Sequence, residues 1–178
     1  AIDSVENYKT DLRVLLVSEG GGRVHQGFRD ALDLVWADVS RRIGDERGWF
    51  AGHSLGAALA TLAAARHGRA GAVFAYGAPR PGDAAYRDAY ETPLYRFVNR
   101  DDIVTQLPPP LGYRHIGALR YFDGDGLLHD EPDVRSRAAD VARRWFSGQL
   151  RELPKEAFLD HAPIRYAQLC LKNVAPAR

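Results

Sequence analysis

The segment that decides the fold reads Trp49-Phe50-Ala51-Gly52-His53-Ser54-Leu55-Gly56-Ala57-Ala58-Leu59-Ala60. A short apolar run leads to Ser54, which has one glycine two residues before it and another two residues after it. Strong helix formers follow from Ala57 to Arg66, and then His67 and Gly68 supply a last-turn cation and a helix-ending glycine. Strand, sharp turn and helix are the context of a G-x-S-x-G nucleophile elbow. The alternative is a glycine-rich turn that merely contains a serine, but the flanking strand and helix favour the elbow.

The elbow makes three structural predictions. Ser54 should adopt a strained backbone conformation that exposes its hydroxyl above the sheet. Gly52 and Gly56 should both be required, because a side chain at either position would collide where strand and helix pass closely. The Leu55 amide, at the positive end of the helix, should point to where an oxyanion would form.

Composition excludes several classes of function. The 178 residues, 46% hydrophobic and 26% charged, predict one globular domain, 1–178. A net charge of +1 and the lack of a Lys/Arg run argue against a nucleic-acid surface. The longest apolar runs are too short to cross a bilayer. Cys170 is the only cysteine, so an internal disulfide or a cysteine-based metal site is excluded, and no residue pattern implies a cofactor.

The beginning of the sequence leaves localisation open. The chain contains no methionine, which is consistent with removal of an initiator or with a sequence that begins partway through a longer protein. A signal peptide is not visible, and this means little if the true start lies elsewhere.

Strands alternate with helices along the chain, which predicts an α/β layered sheet. Asp3 and Glu6 have capping-box spacing ahead of a short amphipathic N-terminal helix. Apolar or alternating runs predict strands at 12–17, in the segment leading into Ser54, and at 71–76, 94–99 and 113–122. Further helices are predicted at 25–43, 57–66, 83–90, 133–146 and 162–172, with an irregular segment at 150–160 and a hairpin turn at 123–126.

A serine nucleophile needs a base, and three histidines follow the elbow and a candidate acid. His115 is predicted within a strand, where a hydrogen-bonding role in the core is favoured. His129 lies in an acidic hairpin and is predicted at the surface. His161 ends a loop and begins a helix, a supported position typical of a catalytic base, and is preferred. The earlier His25 and His53 are expected to be packed and hydrogen-bonded rather than catalytic.

The acid is expected just after the strand at 94–99. Asp102 is favoured, and Asp101, one residue away, is the alternative. Asp123-x-Asp125-Gly126 faintly resembles the start of a calcium loop, but the glutamate spacing of that loop is absent, so it is predicted to be a turn.

Several segments together resemble the class 3 lipases, the fungal triacylglycerol lipase family. Gly52-His53-Ser54-Leu55-Gly56 matches the GHSLG elbow of that family, with Ala57 where a further glycine is frequent. The other matching segments are Val24-His25-Gln26-Gly27-Phe28 (VHxGF), Tyr76-Gly77-Ala78-Pro79-Arg80 (FGAPR), Asp102-Ile103-Val104 through Leu107-Pro108-Pro109 (DIVxxLPP), Tyr113-x-His115-x-Gly117, and Asp160-His161 with Tyr166. The resemblance runs along nearly the whole chain.

The resemblance implies an α/β-hydrolase-type, mostly parallel sheet flanked by helices. It also implies that Ser54, Asp102 and His161 are nucleophile, acid and base, and that His115 is not the base. Residues 4–12 look like the lid helix of the family, whose apolar face would contact lipid. In the family, a strand that supplies an oxyanion donor precedes the lid. This chain has only residues 1–3 there, so the N-terminal strands are expected to be missing.

The sequence therefore predicts a serine carboxylester hydrolase that cleaves acyl glycerols without metal or organic cofactor. The alternative is a non-catalytic lipase-like module, or an inactive fragment, that binds lipid or a partner chain. Without the upstream strand, residues 49–52 would lose a central neighbour in the sheet. An upstream segment, a second chain or a symmetry-related copy is therefore expected to cover that edge, because several unpaired buried backbone groups would cost about 1–3 kcal/mol each.

Overall fold

The computed structural model describes residues 15–130 and 158–174. The elements, in chain order, are β1 (Leu16–Glu19), β2 (Gly22–His25), α1 (Gln26–Ile43), β3 (Trp49–His53), α2 (Leu55–His67), β4 (Ala72–Tyr76), α3 (Ala84–Asp88), β5 (Leu94–Asn99), a 3₁₀ helix (Ile103–Gln106), β6 (Ala118–Phe122), β7 (Leu128–Asp130) and α4 (Pro163–Asn173). The predicted lid helix at 4–12, the predicted helix at 133–146 and most of the predicted irregular segment at 150–160 lie outside the described residues.

A five-stranded sheet in the order β3-β4-β5-β6-β7 forms the centre of the fold. β3 to β6 are parallel, and β7 is antiparallel to β6 after the turn at 123–126. Helices connect β3 to β4 and β4 to β5, as parallel pairing requires. The carboxyl ends of β3, β4 and β5 therefore lie at one edge of the sheet. The fold is of the α/β-hydrolase type, as the resemblance implies.

The core explains the alanine-rich sequence of α2. This helix packs against β3, β4 and α1, and seven of its residues are buried. Small side chains let the helix axis approach the sheet closely, and the helix is apolar nearly all round because it is covered on several sides. α1 is amphipathic and buries Phe28 and Leu32. Each such side chain contributes about 1.5–3 kcal/mol on burial.

An antiparallel hairpin of β1 and β2 forms a separate two-stranded sheet. The sequence predicted an extended run before the glycines but not β2, because Gly22–His25 leads directly into α1 and offers no alternation of its own. Gly20 and Gly21 make the turn with φ of 56° and 82°. A Cβ on Gly22 would lie 2.1 Å from the backbone nitrogen of Tyr86, so this glycine lets the hairpin pack directly on α3.

The predicted strand at 113–122 was wrong in its first half, since β6 begins only at Ala118. Residues 113–117 make a single isolated bridge, between Arg114 and Gly82. Gly117 has a φ of 77°, and a Cβ there would lie 2.2 Å from the carbonyl oxygen of Leu94. This left-handed residue breaks the extended run, so His115 lies in a loop and not within a strand.

β3 lies at the end of the sheet. It pairs with β4, and no other strand in the described part of the chain pairs with it. Trp49 is 70% exposed. The expectation that a strand from outside residues 1–178 covers this edge stays a prediction. The helices described here include none long and apolar enough to cross a membrane.

Candidate active site

Ser54 occupies the single residue between the end of β3 and the start of α2. Its φ of 58° and ψ of −127° place a non-glycine residue in a backbone region that costs about 1–3 kcal/mol. Its N–H donates to the Tyr76 carbonyl at 2.9 Å, and its own carbonyl accepts the N–H of Ala57 at 3.0 Å. These bonds hold the strained turn, so the predicted elbow conformation is confirmed.

The close approach that the elbow requires occurs at only one of its two glycines. A Cβ on Gly52 would lie 2.2 Å from the carbonyl oxygen of Gly56, a collision with backbone that cannot move aside. A Cβ on Gly56 would meet no atom within 4 Å. The prediction was therefore correct for Gly52 and wrong for Gly56, because the Gly56 Cβ direction points away from the strand that its backbone touches.

His161 joins Ser54 to Asp102. Its Nε2 lies 2.8 Å from Ser54 Oγ, and its Nδ1 lies 2.9 Å from both carboxylate oxygens of Asp102. In the neutral tautomer with a proton on Nδ1, the ring donates to Asp102 and accepts from the serine hydroxyl. His161 thus lies within hydrogen-bond reach of Ser54 with Asp102 on its far side, and these three side chains form a triad-like arrangement. Their catalytic roles stay a prediction.

Asp102 is fully buried, at 0% exposure, and its carboxylate is nevertheless satisfied. Oδ1 accepts the N–H of Val104 at 2.9 Å, and Oδ2 accepts the hydroxyl of Tyr166 at 2.6 Å. The first bond caps the 3₁₀ helix that begins at Ile103. A buried carboxylate is tolerated only when it is paired and hydrogen-bonded, and His161 supplies the remaining partner.

Tyr166 and Asn99 form hydrogen bonds that hold Asp102 and the loop that carries His161. The backbone N–H of Asn99 donates to the Tyr166 hydroxyl at 3.0 Å, and the Asn99 side-chain amide donates to the Asp160 carbonyl at 2.9 Å. Burial, with the negative charge of Asp102 beside it, raises the pKa of Tyr166 well above its usual range. Tyr166 therefore remains a protonated donor to Asp102.

Gly77 makes room for the contact between acid and base. It follows β4 with a φ of 58°, and a Cβ there would lie 2.8 Å from Asp102 Oδ2 and 3.1 Å from His161 Nδ1. Only glycine fits both this backbone conformation and this space. From the sequence alone, Gly77 stands out only as part of a motif, and no signal marks Asn99, which ends the strand three residues before Asp102.

The other histidines lie outside the triad-like arrangement. The ring of His115 bonds the Thr105 carbonyl at 2.9 Å, and exposed His129 bonds Asp123 at 2.7 Å. His53 is packed and hydrogen-bonded as predicted, with Nε2 2.7 Å from the main-chain carbonyl of His161. His25 is packed against Phe28 with ring centroids 4.3 Å apart.

His25 is packed as predicted, but its side chain is not hydrogen-bonded to any described residue. It is only 4% exposed, and within the described residues neither of its ring nitrogens has a hydrogen-bond partner. Burial lowers the pKa of His25. The neutral imidazole is favoured because nothing described near it compensates a charge.

Two further predictions concern the elbow helix and the turn after β6. Leu55 is the first residue of α2, where a helix N–H has no acceptor within the helix, and its role toward an oxyanion stays a prediction.

The predicted turn at 123–126 is confirmed. Its Asp123 Oδ1 accepts the backbone N–H groups of Asp125 and Leu127, both at 2.9 Å.

Comparisons with known proteins agree with this geometry. The sequence profile of lipase (class 3) matches residues 2–112. The secreted mono- and diacylglycerol lipase 1 of Fusarium solani is 33% identical over 124 residues, which is 62% of this chain and 37% of the relative. The chloroplastic phospholipase A(1) DAD1 of Arabidopsis thaliana is 30% identical over 142 residues, which is 72% of this chain and 28% of the relative.

A solved structure of the triacylglyceride lipase of Rhizomucor miehei has a TM-score of 0.62 and 25% identity, over 89% of this chain and 66% of that one. The chain thus spans about a third of the length of the two curated relatives, at 37% and 28%. The family profile nevertheless covers more than half of the 178 residues. The chain belongs to the class 3 lipase family.

Proposed function

We propose that this protein is a serine carboxylester hydrolase that cleaves acyl glycerols through an acyl-enzyme. The observation that carries the proposal is the continuous chain of hydrogen bonds from Ser54 Oγ through the His161 ring to buried Asp102, with every contact between 2.8 and 2.9 Å. A serine hydroxyl is a poor nucleophile until a base takes its proton, and this arrangement supplies the base together with a group that orients it.

In the acylation step, Ser54 Oγ attacks the ester carbonyl carbon while its proton moves to His161 Nε2. The C–O bond to the alcohol then breaks, and the alcohol oxygen takes the proton from Nε2. Asp102 accepts the hydrogen bond from the His161 Nδ1–H throughout, and it stabilises the imidazolium that forms between these events. Water next attacks the acyl-enzyme with His161 again as base, which releases the carboxylic acid and restores Ser54.

Negative charge on the carbonyl oxygen would be stabilised by the Leu55 N–H at the positive end of α2. The strained conformation of Ser54, with a φ of 58°, supports this role, because it is the conformation of a nucleophile elbow, whose oxyanion hole uses the N–H of the residue after the nucleophile. Preorganised donors of this kind account for about 2.7–4 kcal/mol each in acyl transfer.

The substrate class rests on the family and its relatives. One relative is named a mono- and diacylglycerol lipase and another a phospholipase A(1). Their shared chemistry is a fatty-acyl ester of glycerol, which is the substrate proposed here. The lid role of residues 4–12 and its contact with a lipid surface belong to the same proposal.

The rival function is a lipase-like module without catalysis that binds lipid or a partner chain. One observation favours it, since the outer side of β3 has no strand partner within residues 15–130 and 158–174.

We infer that a strand from an upstream segment or a second chain pairs with this outer side of β3. Slow hydrogen exchange of the β3 amides that do not bond β4 would support this pairing, and fast exchange would contradict it.

Hydrolysis of p-nitrophenyl butyrate by the full chain, with Ser54→Ala as control, separates the two functions. We expect the wild type to hydrolyse the ester and Ser54→Ala to lose this activity, while circular dichroism shows an unchanged fold. A folded wild type that binds lipid but does not turn over the ester would favour the rival. Activity of the variant near that of the wild type would mean that another residue is the nucleophile.

A further inference from the structure

His53 connects the strand that carries the nucleophile to the loop that carries the base. It is the last residue of β3, directly before Ser54, and its Nε2 lies 2.7 Å from the main-chain carbonyl oxygen of His161. Its ring centroid lies 4.6 Å from that of the His161 ring and 5.5 Å from that of Tyr166. His53 therefore contacts both the backbone and the ring of the base.

We propose that His53 is a positioning residue, which holds the His161 ring within reach of Ser54 and Asp102. This inference rests on the proposed function of the same site. The main-chain carbonyl of His161 can only accept, so His53 must donate its Nε2–H to it. This position thus requires a side chain that is long enough to place a hydrogen-bond donor at the His161 carbonyl.

The loop before α4 is held at two consecutive carbonyls. The side-chain amide of Asn99, at the end of β5, donates to the Asp160 carbonyl at 2.9 Å. His53, at the end of β3, donates to the next carbonyl, that of His161. The two bonds fix the peptide planes before and after His161, and hence the direction in which its side chain leaves the backbone. Loss of the second bond removes the restraint on the carbonyl side of the His161–Ala162 peptide, whose N–H still donates to the Leu159 carbonyl at 3.1 Å.

The charge state of His53 suits this role. Burial, together with the nearby His161 ring, lowers the pKa of His53, so the neutral form is favoured. The titratable groups that face it are His161, Asp102 and Tyr166. A neutral donor holds the carbonyl without placing a second positive charge beside the imidazolium that forms on His161 during the reaction.

The test compares three variants of the full chain. His53→Phe keeps an aromatic ring but removes the donor, and His53→Gln restores a donor amide of similar reach. His67→Phe is the matched control, because His67 Nε2 also bonds a main-chain carbonyl, that of Glu46 at 2.8 Å, beside the aromatic ring of Phe50. His67 lies at the opposite end of α2 from Ser54.

We expect His53→Phe to lower kcat about ten- to a hundredfold with KM changed less than about threefold, since misplacing a catalytic group affects turnover more than binding. His53→Gln should recover kcat to within about threefold of the wild type, and His67→Phe should leave it unchanged. A His53→Phe variant with kcat within about twofold of the wild type overturns the proposal. So does a His53→Gln variant that is no better than His53→Phe.

A second readout does not depend on activity. In protein labelled with ¹⁵N-histidine, His53→Phe should shift the His161 ring resonances, whereas His67→Phe should not. If the wild type hydrolyses no ester, the proposed function fails, and this comparison still decides the positioning. His161 resonances that are the same in His53→Phe and in the wild type overturn it.

Discussion

The Tyr166 hydroxyl donates to Asp102 Oδ2 at 2.6 Å and accepts the backbone N–H of Asn99 at 3.0 Å. One phenol oxygen therefore links the first turns of α4 to the end of β5 and to the buried acid. A hydrogen bond to a charged group contributes about 1.5–3 kcal/mol, which is more than a neutral one. The bond orients the carboxylate that in turn orients His161.

We expect Tyr166→Phe to lower kcat about tenfold, because Asp102 loses a donor that fixes its orientation. The free energy of unfolding should also fall by about 1–3 kcal/mol, since the Asn99 N–H is left buried without an acceptor. Ester hydrolysis and denaturant unfolding measure the two effects.

Tyr90→Phe is the matched control. Tyr90 donates a 3.0 Å hydrogen bond to the Thr61 carbonyl, away from the triad-like arrangement. The Tyr90→Phe variant should lose stability without losing activity. Equal losses of activity in the two variants would show that the effect of Tyr166 is on the fold and not on Asp102.

The two elbow glycines make a paired prediction. Gly52→Ala should lower the free energy of unfolding by about 3 kcal/mol or more, because the new Cβ would collide with the Gly56 backbone at 2.2 Å. Gly56→Ala should raise it by up to about 1 kcal/mol, since its Cβ meets open space at the start of a helix. Urea unfolding checks both. Comparable destabilisation in the two variants would mean that the strand and helix approach each other differently.

Much of this fold could be predicted because its signals are local. β5 has the bounds 94–99 that alternation predicts, and α2 ends at His67 with Gly68 as its cap, at a φ of 68° in the left-handed region. The three residues of the triad-like arrangement could also be proposed from local context, since each follows a strand or begins a helix. Local context already favoured one acid and one base over their alternatives, and the resemblance to the family implies the same two residues.

What could not be predicted depends on contacts between distant segments. The bond from His53 to His161 spans 108 residues and ends on a main-chain carbonyl, which carries no residue-type signal. Gly117 looks like part of a strand until its closeness to Leu94 is known. Gly56 looks equivalent to Gly52 because spacing does not reveal which Cβ points at the neighbouring backbone.

Burial of His25 predicts a pH-dependent stability. Its pKa in the folded state is lowered from 6.5, so below about pH 6.5 the unfolded state binds more protons than the folded one. This contribution to stability is present above pH 6.5 and is lost as pH falls toward the folded pKa. A single group changes the free energy of unfolding by at most about 1.4 kcal/mol per pH unit.

The variant His25→Phe keeps the ring stacked on Phe28 and removes the titrating group. Its unfolding free energy should therefore fall less steeply than that of the wild type as pH is lowered from 6.5. His53, whose pKa is also lowered, contributes equally to both proteins and cancels in the comparison. Parallel pH profiles would contradict the assignment of this dependence to His25.

Labelling with a fluorophosphonate shows whether Ser54 is an activated nucleophile. This reagent phosphonylates a serine only when a base has activated it, with loss of fluoride, and it adds a mass that peptide mass spectrometry can locate. We expect one equivalent of label on Ser54, with labelling lost in Ser54→Ala and about a hundredfold slower, or slower still, in His161→Ala. A folded wild-type protein that takes up no label, or that is labelled at another serine, would contradict it.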